Sequence, residues 1–293
     1  MKPQHAIRDI MKIICSILWL IFTAATLTLS WMSGIEAAPP GPSLVKVKLI
    51  SEVKSVSDRA NTVWIGLHQV IEPGWHTYWR YGGDAGLPTR IKWLSSRNAI
   101  MGQIEWPLPK NIRLGPLVNY GYENETLLLI PVRILSHNPI SLEAMAEWLV
   151  CKDICIPERK KLNLEIPQGP GEVNPSTSSL FAKYRDLIPS QLPWPSAITR
   201  IDGHINLTIS VGKDKIKQLQ FIRFFPTLDG LIMNAAPQIT RNNGNNLTVI
   251  LQPGHATLES LKSFQGVVKL KYKSDGKFAE RAYRTGLLAL PPK

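Results

Sequence analysis

From Val45 onward, apolar and polar positions alternate in short runs: Val45, Val47 and Leu49, then Val63, Ile65 and Leu67, then Leu128, Ile130, Val132 and Ile134. A period of two is that of a strand with one face buried. The alternation returns in Leu162, Leu164 and Ile166, in Ile205, Leu207, Ile209 and Val211, in Leu247, Val249 and Leu251, and in Val268, Leu270 and Tyr272. Between runs stand Glu72-Pro73-Gly74, Tyr81-Gly82-Gly83-Asp84, Asn242-Asn243-Gly244 and Gln252-Pro253-Gly254. Gly and Asn accept positive φ there and Pro presets its own, so each group predicts a chain reversal. Helical spacing is scarce, with one short element expected over Leu180 to Leu187. The pattern predicts an all-β protein made of β-sandwich units, with two such subdomains.

Two stretches break the pattern. The first opens with Lys2, Arg8 and Lys12 and then carries no charge from Ile13 to Ile35. A basic start before an apolar run is a membrane-targeting signal, and the small residues at Gly34, Ala37 and Ala38 favour cleavage near Ala37. The rival reading is an uncleaved anchor, since the run is long enough to cross a bilayer at ~1.5 Å per residue. Either way the bulk of the chain leaves the cytoplasm, for a periplasmic location, free or tethered to the inner membrane. The second stretch, Gln168 to Ser179, is rich in Pro, Gly and Ser and reads as a linker or long loop. The expected organisation is therefore a leader over 1–37, a first domain over 38–167, a linker over 168–199 and a second β-sandwich subdomain over 200–293.

Charge changes this picture little. The chain carries a formal +12, and its leader holds Asp9 and Glu36 against three basic residues, so nearly all the excess is on the exported part. Export argues against nucleic acid as the partner, and the scattered placement of Lys and Arg reads as a solvated positive surface.

Cysteine usage changes it more. Of three cysteines, Cys15 lies in the leader, which leaves Cys151 and Cys155 alone in the exported part. In an oxidising compartment they meet each other first. They sit in Trp148-Leu149-Val150-Cys151-Lys152-Asp153-Ile154-Cys155-Ile156-Pro157, at the end of an apolar strand. A ring this small removes little entropy from the unfolded chain, ~2 kcal/mol or less, so stapling is a poor reason for it. Three readings stay open on the residues alone. The pair is a redox centre, with Lys152, Arg159, Lys160 and Lys161 favouring a thiolate and Asp153 opposing it. It is a minor staple in an interaction domain. Or it holds Cu(I) in a copper-tolerance module, with Met145 or His76 as a further ligand; Zn would want four ligands, and no second Cys or His pair is suitably spaced. Hydrolase, phosphate-loop and dinucleotide signatures are absent.

Further marks accompany the cysteines: Pro73-Gly74-Trp75-His76-Thr77-Tyr78-Trp79-Arg80, then Gly83-Asp84-Ala85-Gly86-Leu87-Pro88, then Tyr120-Gly121-Tyr122-Glu123-Asn124-Glu125. With the cysteine segment, they make the chain resemble the N-terminal periplasmic domain of the thiol:disulfide interchange protein DsbD, in its ScsB-like subgroup. Phe224-Phe225-Pro226 and Ala235-Ala236-Pro237-Gln238 look like the ScsB-type extension. The resemblance implies an immunoglobulin-like domain and a thiol–disulfide oxidoreductase of the protein-disulfide reductase type. Such a domain carries electrons from a membrane-embedded donor to oxidised thioredoxin-fold periplasmic proteins, a traffic that includes cytochrome c biogenesis. It implies no cofactor beyond a redox-active Cys151–Cys155 disulfide, with Cys155 exchanging and Cys151 resolving. It implies His76 and Tyr78 as residues flanking the sulfurs. It also implies a cap loop over Asn119 to Asn124, with Tyr120, Gly121, Tyr122 and Glu123 shielding them. Unlike full-length DsbD, the chain has no multi-span membrane domain and no C-terminal thioredoxin-like domain, so its electrons would come from a separate membrane protein.

Overall fold

The computed structural model describes residues 42–136, 138–213, 219–256, 264–274, 277–286 and 288. The expected leader lies outside the described residues. Among the described residues no helix is long and apolar enough to cross a membrane.

The alternating runs form strands, and the architecture is all-β. In the first half one sheet runs β1 (Val45–Ser51), β2 (Thr62–Ile71), β8 (Glu125–Ile134) and β5 (Ala99–Met101). The facing sheet runs β10 (Cys155–Ile166), β9 (Ile140–Cys151), β3 (His76–Gly83), β7 (Leu117–Glu123) and β6 (Lys110–Leu114), with β4 (Arg90–Arg97) also paired to β9. Their inner faces meet in an immunoglobulin-like sandwich whose core includes Val47, Leu67, Leu128, Trp79, Ala146, Trp148 and Val150. A buried polar tie crosses between the sheets: Thr77 Oγ1 donates to Gln69 Oε1 at 3.1 Å, and Gln69 Nε2 donates to Thr89 Oγ1 at 3.2 Å. Each buried side-chain amide thus finds a partner, as burial demands.

The second half stacks two four-stranded sheets. One is ordered β11 (Ser190–Gln191), β18 (Lys277–Arg284), β17 (Gly266–Ser274) and β14 (Leu219–Pro226). The other is ordered β12 (Ser196–Ile201), β13 (His204–Ser210), β16 (Asn246–Leu251) and β15 (Ile239–Asn242). Leu207, Val249, Leu251, Leu270 and the stacked rings of Phe224 and Phe264, 4.9 Å apart, fill its core.

The pleat sends neighbouring residues of β14 and β17 to opposite faces. Phe224 and Val268 enter the second core, whereas Phe225 and Val267 join the first core beside Trp79 and Tyr120. The Phe225 ring meets Tyr120 edge-on at 5.3 Å and Trp79 at 6.3 Å. Both faces of this sheet thus carry core residues, and the two sandwiches share it as a common wall.

The stretch expected as a linker is ordered chain laid against the first sandwich. It carries helix α1 (Ser178–Arg185), whose Phe181 and Tyr184 cover Leu127 and Leu129 on the outer face of β8. Arg185 grips Glu52 through both guanidinium nitrogens at 2.8 and 2.7 Å. The Pro- and Ser-rich composition reflects the turns that lead into this helix, which is the short element expected over Leu180 to Leu187, begun two residues earlier.

Candidate functional site

Strand parity places the chemistry. Along β3, Thr77 and Trp79 point into the sandwich, Thr77 toward Gln69 and Trp79 into the core. His76 and Tyr78 therefore lie on the outer face of the same sheet. On β9, Trp148 and Val150 belong to the core, which puts Leu149 and Cys151 on that outer face. Register completes the arrangement: Cys151 is opposite Cys155 on β10 and next to His76 on β3.

The two cysteines form a disulfide across the mouth of the β9–β10 hairpin, with Cα atoms 4.2 Å apart. The turn between them is closed by Lys152 N–H donating to the Ile154 carbonyl at 3.0 Å. The sulfurs are unequal. Cys151 is 1% exposed, while Cys155 is exposed at the edge of the sheet. Ile154, 64% exposed, stands next to it at the tip.

Around the accessible sulfur the outer face is aromatic and polar. The Tyr78 hydroxyl lies 3.6 Å from Cys155 Sγ and 3.3 Å from His76 Nε2, and the two rings meet edge-on. Burial holds the His76 imidazole below its usual value, against an opposite pull from Glu123, and burial pushes the Tyr78 phenol up. At neutral pH both groups are uncharged, so the pair offers hydrogen bonds and a proton-accepting nitrogen beside the sulfur. The expected flanking residues, His76 and Tyr78, are thus brought together with both cysteines.

The expected cap loop is not a loop. Tyr120, Gly121, Tyr122 and Glu123 lie within β7, and parity explains the difference: Tyr122 is registered with inward-facing Thr77, so Tyr120 and Tyr122 face the core. Their hydroxyls are committed elsewhere, Tyr120 donating to Asn234 Oδ1 at 3.2 Å and Tyr122 to the Pro107 carbonyl at 2.7 Å. Gly121 sits opposite Tyr78, where an added Cβ would lie 2.0 Å from the Thr77 carbonyl oxygen. Glu123 is across from His76 and binds Lys110 at 3.0 Å.

What covers Tyr78 is the Gly82–Pro88 turn. A Cβ at Gly86 would fall 2.1 Å from the Tyr78 ring, so this glycine is in direct contact with it. The turn is anchored on β7: Asp84 N–H donates to the Val118 carbonyl at 3.0 Å, Asp84 Oδ2 accepts from Val118 N–H at 2.7 Å, and Ala85 N–H donates to Asn119 Oδ1 at 3.1 Å. Asn119, 1% exposed and on the outer face, also directs Nδ2 at the Tyr78 hydroxyl at 3.5 Å. Asp84 and Gly86 escaped assignment to the site because turn residues in sequence look like any other reversal, and Asn119 was expected only as the start of the cap loop.

The same outer face continues as a groove of about 460 Å³ lined by Leu87, Pro88, Leu149, Pro157, Glu158 and Arg159, among others. It starts two residues along each strand from the disulfide. Met145, weighed as a copper ligand, is six residues from Cys151 along β9 and paired with Lys161 and Lys92, roughly 20 Å away at strand rise. Among the described residues no group of three or more His, Cys, Asp or Glu side chains has metal-holding geometry.

Comparison with known proteins gives this site a setting. Residues 43–167 match the family described as thiol:disulfide interchange protein DsbD, N-terminal. The matched stretch carries β1 to β10 and the whole disulfide face. Among solved structures, the chain is similar to the N-terminal periplasmic domain of ScsB from Proteus mirabilis, 17% identical, with a TM-score of 0.54 and coverage of 85% of this chain and 96% of that one. That coverage extends beyond the family match into the second sandwich, and it establishes a common fold. A further likeness, to the C-terminal domain of the Streptococcus pyogenes antigen I/II-family protein AspA, has 6% identity, coverage of 83% and 99% of the two chains and a TM-score of 0.16, too low to support any argument. No curated protein matches the sequence.

Proposed function

We propose that this protein is an exported thiol–disulfide exchange protein that relays two electrons between a separate membrane reductase and oxidised periplasmic proteins of the thioredoxin fold. The observation that carries the reading is the inequality of the two sulfurs: one exposed at a hairpin tip, the other buried directly beneath it.

In the reduced protein the accessible Cys155 thiolate attacks one sulfur of a partner disulfide in line. A mixed disulfide forms and the partner's other sulfur leaves as a thiolate. Cys151 then attacks Cys155 Sγ, the internal disulfide closes, and the partner departs with both its sulfurs reduced. Two electrons pass to the partner, and the two protons that accompany them reach its thiolates from solvent. The reverse sequence, begun by a donor thiolate attacking Cys155, recharges the protein. His76 Nε2, held neutral by burial, accepts the Cys155 thiol proton through the Tyr78 hydroxyl.

The surroundings support docking by another folded protein. Ile154, next to Cys155 in the chain, and Leu87, in the adjoining groove, are exposed apolar side chains. The family described for residues 43–167 is itself a thiol:disulfide interchange family, and the solved ScsB domain is periplasmic by description.

The test is the reduction potential of the purified protein, by equilibration with glutathione or dithiothreitol, together with exchange by a Cys155→Ala variant. A potential of ~−120 to −270 mV with exchange lost in the variant supports the relay. A potential well below ~−300 mV, or full exchange without Cys155, would turn the pair into a structural bond.

A further inference from the structure

The second sandwich reaches the disulfide face through one buried side chain. Asn234, 3% exposed, lies in the segment between β14 and β15, and both its amide hydrogens and its amide oxygen are engaged. Its Nδ2 donates to Asp84 Oδ1 at 2.8 Å and to the Tyr81 hydroxyl at 3.1 Å, and its Oδ1 accepts from the Tyr120 hydroxyl at 3.2 Å. The Arg223 guanidinium donates to its backbone carbonyl at 3.2 Å and ties it back to β14. A buried amide with both hydrogens and its oxygen engaged fixes geometry, because turning it away leaves buried polar groups unpaired.

The geometry it fixes leads to the sulfur. Asp84 spans the boundary, with one carboxylate oxygen on Asn234 and the other on Val118 N–H. That clamp holds the turn in which Gly86 lies against the Tyr78 ring and Ala85 N–H occupies Asn119 Oδ1. With its carbonyl oxygen engaged, Asn119 presents its amide nitrogen, a pure donor, to the Tyr78 oxygen. The Tyr78 hydroxyl, accepting from Asn119, is left with its own proton to offer to His76 or to Cys155 Sγ. A donor aimed at a sulfur favours its thiolate.

We infer that Asn234 is a positioning residue for Cys155: from the second sandwich it holds the Asp84–Gly86 turn that seats the Tyr78 hydroxyl as a donor to the reactive sulfur. The second sandwich is thereby part of the redox site although, among the described residues, none of its side chains hydrogen-bonds to the cysteines. The inference takes its biological weight from the exchange reading above, but it concerns the acidity of one thiol and is tested without any partner.

The experiment follows the pH dependence of iodoacetamide alkylation at Cys155 in the reduced full-length exported chain, read by peptide mass. The charged and titratable groups about the sulfur are the Cys151 thiol on β9, His76 and Tyr78 on β3, Glu123 on β7, Lys152 and Asp153 in the hairpin turn, and Glu158 and Arg159 on β10. Asn234→Ala changes none of them. It is expected to raise the alkylation midpoint by about half a pH unit or more, equivalent to roughly threefold less thiolate at a pH below both midpoints. Tyr78→Phe is expected to shift it in the same direction, and the double variant no further than Tyr78→Phe alone, because both act through one hydroxyl. A midpoint unchanged in Asn234→Ala, or shifts that add in the double variant, would overturn the inference. Should Asn234→Ala fail to fold, Asp84→Ala breaks the same clamp from the first sandwich and is read by the same criteria. A shifted midpoint in a protein without exchange activity would leave the positioning role standing and remove the relay, and the converse result would do the opposite.

Discussion

At the scale of single residues, burial decides roles. Cys151 and Cys155 have the same chemistry, and only the packing of the β9 end separates the shielded sulfur from the accessible one. His76 is a titratable group on which the same packing acts. Its folded value is lowered, chiefly by burial, so near pH ~6.5 the unfolded chain takes up a proton that the native state refuses. Stability is therefore complete above that pH and is lost as the pH falls below it toward the folded value. Urea unfolding between about pH 7.5 and 5.5 should show this slope in the parent and a flatter one in His76→Gln. Equal slopes would mean that His76 is not the group responsible.

Strand elements were the most legible part of the sequence, because alternation reports directly which face is buried. Val45 to Leu49, Val63 to Leu67 and Leu128 to Ile134 fall within β1, β2 and β8. The cysteine pair was plain in the sequence, whereas His76 and Tyr78 came from the family resemblance and not from alternation; it is register on neighbouring strands that sets them beside the sulfurs. The cover was not legible. Motif order suggested Tyr120 and Tyr122, but a strand's parity depends on which partner it faces, and that is set by long-range pairing with β3. The Gly82–Pro88 turn performs the covering instead, and it can do so only with a glycine at Gly86, where φ is +96° and the Tyr78 ring leaves no room for a side chain. Gly86→Ala should cost about 1–3 kcal/mol from backbone conformation alone, before the clash is counted. Thermal unfolding checks it, and a variant as stable as the parent would show that the turn does not rest on Tyr78.

On the scale of the whole molecule, the two sandwiches are distinct in topology but not in packing. Composition suggested a linker or long loop between two subdomains, and the contacts that join the halves come from residues far apart in sequence, which composition does not report. Phe225 is the centre of that joint: 3% exposed, on a strand of the second sandwich, with its ring against Tyr120 and Trp79 of the first. Truncating a buried Phe to Ala generally costs ~3–5 kcal/mol through lost burial and the cavity left behind. Here the loss should be felt by both sandwiches at once, since the β14–β17–β18 sheet forms a wall of each core. Phe225→Ala should lower the unfolding temperature in one shared transition, seen alike by Trp fluorescence and by far-ultraviolet circular dichroism. A split into two transitions, with the half that carries the disulfide melting where it does in the parent, would show that the halves fold separately. It would also remove the rigid connection through which Asn234 acts on the disulfide face, since a wall that yields cannot hold the Asp84 turn in place.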